Sequence, residues 1–164
     1  MERRGQLEIS FGMIFSILLV IFFLAVAFFG IREFLTLQDS AKTGKFLSDF
    51  NSDIDRIWKS AQSSQQQEYF LPTRISKVCF TDFNAGKSGP SSNLYDEMKI
   101  NYFGDENMFF YPAGTLEIKS SVIKNIDIGK TTQSENPFCI NSANAKVKIR
   151  LGKDISETLV TIGR

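Results

Sequence analysis

Apolar and polar positions fall into three successive patterns along the chain. Residues 9–31 carry no formal charge and are almost all Phe, Ile, Leu, Val, Met or Ala, with Gly12, Ser16 and Gly30 among the few small or weakly polar interruptions. As a helix this run is about 34 Å long, against a hydrocarbon core of about 30 Å. A helix apolar around its whole circumference is not one that a small domain can bury. The pattern therefore predicts a transmembrane helix over 9–31, preceded by a basic leader and polar step over 1–8.

Beyond Ile31 the apolar residues thin out and become periodic. Phe46, Phe50, Ile54, Ile57 and Ala61 recur at a 4-4-3-4 spacing, which places them on one helical face, and Leu47 and Trp58 widen the stripe. Lys45, Ser48, Asp49, Asn51, Ser52, Asp55, Arg56 and Lys59 fill the opposite face. The helix is expected to continue over 32–61 as an amphipathic element lying on a soluble domain. Gly44 is its weakest point, at a cost of about 1 kcal/mol relative to Ala. The run Ser60-Ala61-Gln62-Ser63-Ser64-Gln65-Gln66-Gln67 is polar and reads as the helix exit, with a polar linker over 62–68.

From Tyr69 onward the period shortens to two. Candidate strands are 75–83, 98–103, 108–111, 115–119, 122–128, 138–141, 146–151 and 158–162. The clearest alternation has Val147, Ile149 and Leu151 facing in and Lys146, Lys148 and Arg150 facing out, the signature of a half-exposed antiparallel strand. A loop is expected around Gly86-Lys87-Ser88-Gly89-Pro90, and a hairpin turn at Gly104-Asp105-Glu106-Asn107. The fold class is accordingly α+β: a long N-terminal helix, transmembrane in its first half and amphipathic in its second, packed on a small antiparallel β domain over 69–164.

Composition narrows the chemistry. Nineteen Lys+Arg against eighteen Asp+Glu leave a net charge of +1, with no basic block, so nucleic acid is not an expected partner. The absence of histidine removes the commonest general base and metal ligand, and no cofactor or metal site is expected. The carboxylate pairs Asp53 with Asp55, and Asp105 with Glu106, are too close in sequence to converge on one substrate, so no catalytic residue is assigned and no enzyme is expected. Gly86-Lys87-Ser88 resembles the end of a phosphate-binding loop, but Thr81 stands where that motif requires its first Gly. Cys79 and Cys139 each sit in a predicted strand and are either a disulfide or two buried thiols. Bonded, they would close a loop of about 60 residues, contributing roughly 4 kcal/mol by chain entropy.

The leader distinguishes three fates for the apolar run. Ala25-Val26-Ala27 has the form of a signal-peptidase site, but the run exceeds the usual apolar core of a signal peptide and Phe28-Phe29-Gly30-Ile31 extends it past that point. Arg3, Arg4 and Gly5 before a polar step and a long helix, followed by a strand-rich domain with two cysteines, resemble an archaeal type IV pilin with a class III signal peptide. They also resemble archaeal single-pass membrane proteins of related plan. The pilin resemblance implies cleavage by a prepilin peptidase between Gly5 and Gln6, bundling of the apolar halves of like subunits, and a surface filament or pseudopilus-type assembly. It also implies that a glutamate near the new N-terminus pairs with the amino group of a neighbouring subunit. Glu8 is the candidate, although it would stand third after the cut where the family places its glutamate fifth. Otherwise Glu8 is an interfacial carboxylate near a helix start.

The expected function is that of a membrane-anchored, non-enzymatic pilin-like subunit in the cell membrane, with its N-terminus cytoplasmic and its C-terminal domain outside. The other expectation is an uncleaved single-pass protein whose exterior β domain binds an envelope partner. The lipid bilayer is a partner under either.

Overall fold

The computed structural model describes residues 11–164. The expected cleavage residues Arg3, Arg4, Gly5 and Gln6, and the expected subunit contact Glu8, lie outside them. The chain divides into two compact units between Leu37 and Gln38.

Helix α1, Phe11–Trp58, is a single element of 48 residues, about 72 Å long. It runs through Gly44 without a break; Gly44 is exposed, and a Cβ there would meet nothing within 4 Å. The helix ends three residues earlier than the stripe suggests, so Ala61 is exposed outside it and Trp58 stands 40% exposed on its last turn.

In the second unit, Thr43, Phe46, Phe50, Ile54 and Ile57 of α1 are buried. The four apolar ones share a core with two antiparallel sheets. One sheet has the order β1-β6-β7, from β1 (Ser63–Phe70), β6 (Lys146–Lys153) and β7 (Thr161–Gly163). The other has the order β4-β3-β2-β5, from β2 (Lys77–Phe80), β3 (Met108–Tyr111), β4 (Ser120–Ser121) and β5 (Phe138–Asn141). The fold is thus α+β, with a long N-terminal helix and a small β domain, as the periodicities predict.

The expected strands at 108–111 and 138–141 form as read, and 146–151 extends to Lys153. Val147, Ile149 and Leu151 are fully buried while Lys148 and Arg150 are exposed. In β2, Val78, Cys79 and Phe80 are all buried because both faces are covered. Val78 and Phe80 meet the α1 core; Cys79, with Phe109 and Cys139, packs on Leu94 and Met98 of helix α2 (Asn93–Lys99). A strand buried on both faces reads as a continuous apolar run.

Four expectations are corrected. The linker over 62–68 is strand β1, paired along its whole length with β6; Gln65, Gln67 and Tyr69 turn inward in alternation, so polar side chains conceal a period of two. The strand expected at 98–103 is instead preceded and begun by α2, whose buried Leu94, Tyr95 and Met98 follow helical spacing. The turn at Gly104-Asp105-Glu106-Asn107 therefore joins a helix to β3 rather than two strands. Neither strand expected at 115–119 and 122–128 forms: β4 falls between the two ranges, and the second keeps only a parallel bridge between Ile126 and Val160. There the chain turns at Asn125, with φ of 62°, and Asp127 accepts a hydrogen bond from the Lys130 N–H at the start of the short helix α3 (Ile128–Thr131).

Candidate functional site

The first candidate is the apolar length of α1. Every residue from 11 to 35 is exposed, Phe22 by 64% and Leu24 by 65%. By length and composition this helix is able to cross a membrane, and none of its apolar stretch is buried. Helical pairing satisfies its backbone internally, as a hydrocarbon surrounding demands. The few hydroxyls in it are satisfied the same way: Ser16 donates to the Gly12 carbonyl at 2.8 Å and Thr36 to the Arg32 carbonyl at 3.2 Å. Arg32, which ends the uncharged run, lies 5.7 Å from the centroid of the Phe28 ring.

The second candidate is the pair of cysteines. Cys79 on β2 and Cys139 on β5 are direct cross-strand partners and are joined in a disulfide. Both are buried against α2, so the bond closes a sequence separation of 60 residues inside the smaller cluster of the core.

The carboxylate pairs do not converge. Asp53 accepts from Arg56 at 2.6 Å and from the Tyr69 hydroxyl at 2.8 Å, whereas Asp55 accepts from Asn125 at 3.0 Å. Glu106 accepts from the Phe103 N–H at 2.8 Å, and that backbone bond is the first cause holding its carboxyl below the usual value. The Gly86-Lys87-Ser88 loop is held as structure: Lys87 pairs with Asp96 at 2.6 Å and Ser88 bridges Asn136. Asn136, buried, donates to the Asp82 carbonyl at 2.7 Å and accepts from the Asp82 N–H at 3.1 Å. Among the described residues no group of three or more Cys, Asp or Glu side chains is arranged to hold a metal ion.

Sequence reasoning did not single out the ground between α1 and β1. Tyr69 there is buried, and burial first, then the hydrogen bond to Asp53, raises its hydroxyl well above the ordinary tyrosine range. On the opposite face of β1, Glu68 pairs with Lys146 at 2.7 Å and Lys148 at 3.9 Å, and the Lys146 hydrogen bond is the main cause lowering its carboxyl. Two pockets open between helix and strand. One is lined by Lys42, Lys45, Phe46 and Tyr69; the other by Asp49, Ser52, Asp53 and Gln67. The signal that points to this ground is the apolar pair Tyr69-Phe70 closing an otherwise polar run, one ring turned in and the other out.

Set against known proteins, the chain matches no protein-family model, no curated protein and no solved structure.

Proposed function

We propose that the protein is a membrane-anchored, non-enzymatic pilin-like subunit that acts through assembly. The observation that carries this reading is the single helix α1, exposed and apolar through residue 31 and buried along one stripe from Thr43 to Ile57. A fully exposed apolar surface is costly in water, at about 25 cal/mol for each Å², so this length of helix calls for lipid or the matching helices of other subunits. The Cys79–Cys139 disulfide supports a domain on the outside of the membrane, where such bonds persist. The leader Arg3-Arg4-Gly5 supports processing between Gly5 and Gln6 by a prepilin peptidase.

The position of Glu8 favours a second reading, an uncleaved single-pass protein whose exterior domain engages an envelope partner. Intact mass and N-terminal sequencing of the full protein from native membranes separate the two. A mature chain beginning at Gln6, with filaments visible by electron microscopy, supports the first. A chain retaining residues 1–5 overturns it in favour of the second.

A further inference from the structure

Strand β1 is the one long sheet margin that nothing covers among the described residues. In the other sheet, β4 is only two residues long, and at β5 Arg164 donates to the Cys139 carbonyl at 2.9 Å. At β7 the Ile162 N–H is taken by the Thr131 hydroxyl at 3.2 Å. β1 has eight residues and contains no Lys, Pro or Gly, the residues that commonly blunt an edge.

Its open hydrogen-bonding groups can be assigned residue by residue. The Leu71 N–H donates to the Ala145 carbonyl at 2.8 Å, which continues the β1–β6 register by one pair. Hydrogen-bonded pairs alternate with non-hydrogen-bonded ones. Gln65, Gln67 and Tyr69 therefore direct their backbone groups at β6, while Ser64, Gln66, Glu68 and Phe70 direct theirs outward. Among the described residues these four have no backbone partner outside the β1–β6 ladder.

A strand added to this edge meets the two pockets with the correct period. Side chains opposite Tyr69 and Gln67 point to the same face as those residues, toward α1. The first enters the pocket floored by Phe46 and Tyr69 and also lined by Lys42 and Lys45; the second, two positions along, enters the pocket lined by Asp49 and Asp53, whose carboxylates hold Lys45 at 2.9 Å and Arg56 at 2.6 Å and keep their remaining oxygen lone pairs for a further cation. The geometry points to β1 as a docking edge for an extended segment of a partner protein, added antiparallel, with an aliphatic side chain opposite Tyr69 and a Lys or Arg opposite Gln67. A second copy fits less well: two-fold pairing of β1 with itself that uses all four open residues sets neutral Gln65 and Gln67 in those pockets. The inference stands on residues 42–70 and is independent of processing at Gly5.

The probe is a synthetic capped peptide with threonine at the outward positions and leucine, then lysine two residues later, at the inward ones. Added to the full-length protein in nanodiscs at up to about 1 mM, it is expected to slow amide exchange of Ser64, Gln66, Glu68 and Phe70 at least about tenfold. Exchanging its leucine and lysine should weaken binding about tenfold, and N-methylating the two amides that face Gln66 and Glu68 should abolish it. Gln66→Pro removes one outward N–H but no bond to β6, and should likewise cost about tenfold. Absence of protection, or equal binding of the N-methylated peptide, overturns the proposal. Protection that precedes the peptide and grows with protein concentration also overturns it, assigning the edge to a second copy.

Discussion

Phe22 and Phe50 stand on the same helix, yet Phe22 is 64% exposed while Phe50 is at 0%. The backbone does not distinguish them, because both lie in regular helix. The distribution of neighbours does. Around Phe22 apolar residues occupy every side of the helix, and around Phe50 they keep to a stripe faced by Asp49, Asn51 and Ser52. One helix thus carries two patterns, and the periodicity of its side chains, rather than its helical tendency, tells the exposed length from the buried stripe.

The sharpest probe of this contrast is truncation. Phe50→Ala, which removes a ring packed on Phe46, Tyr69 and Phe80, should lower unfolding free energy by about 3–5 kcal/mol in urea titrations followed by Trp58 fluorescence. Phe22→Ala should change the same transition by less than about 0.5 kcal/mol. Equal losses would break the distinction.

The complementary test places charge in the apolar length. Ile21→Arg should oppose membrane insertion by about 3 kcal/mol, read as loss of protein from the carbonate-resistant membrane fraction. The urea transition of the unit Gln38–Arg164 should stay where it is. Full retention of this variant would remove the case for a lipid surrounding.

Smaller in size is the glycine comparison. Neither Gly30 nor Gly44 has anything within 4 Å of an added Cβ. Gly44→Ala, beside the buried Thr43, should stabilise the domain by about 0.5–1 kcal/mol. Gly30→Ala should leave the urea transition unmoved.

The finest test follows pH. Because the Tyr69 hydroxyl is raised above its ordinary value of 10.0, its contribution is complete below that pH and declines as pH climbs past it. Each pH unit above about 10 should cost up to about 1.4 kcal/mol, and Tyr69→Phe should flatten that limb. Glu68 works in the opposite sense: its carboxyl is lowered, so its support is present above 4.5 and fades as pH falls below that value.

The helix, the buried stripe along its second half and the strands holding Val147, Phe138 and Met108 were readable because burial there is carried by apolar side chains at a regular period. Strand β1 was not. Its inward positions before Tyr69 include Gln65 and Gln67, and hydrophobic patterning is silent where amides do the alternating. Helix α2 was missed for a related reason: it buries only Leu94, Tyr95 and Met98, too few to establish a period before Ile100, Tyr102 and Phe103 imitate a strand. The pairing of Cys79 with Cys139 depends on β2 and β5 being neighbours, a matter of sheet order that no local spacing encodes. The pockets beside Tyr69 join residues from α1 and β1, and only the folded chain brings them together.

The bond between Cys79 and Cys139 also governs what happens when the domain is attacked. The exposed run from Asn84 to Pro90 lies inside the segment that this bond closes. A protease cutting there severs the polypeptide but frees no fragment, since both pieces remain tied through sulfur. Such a nicked molecule should migrate as one band without reductant and as two with it, keeping its surface in place after its backbone has been broken.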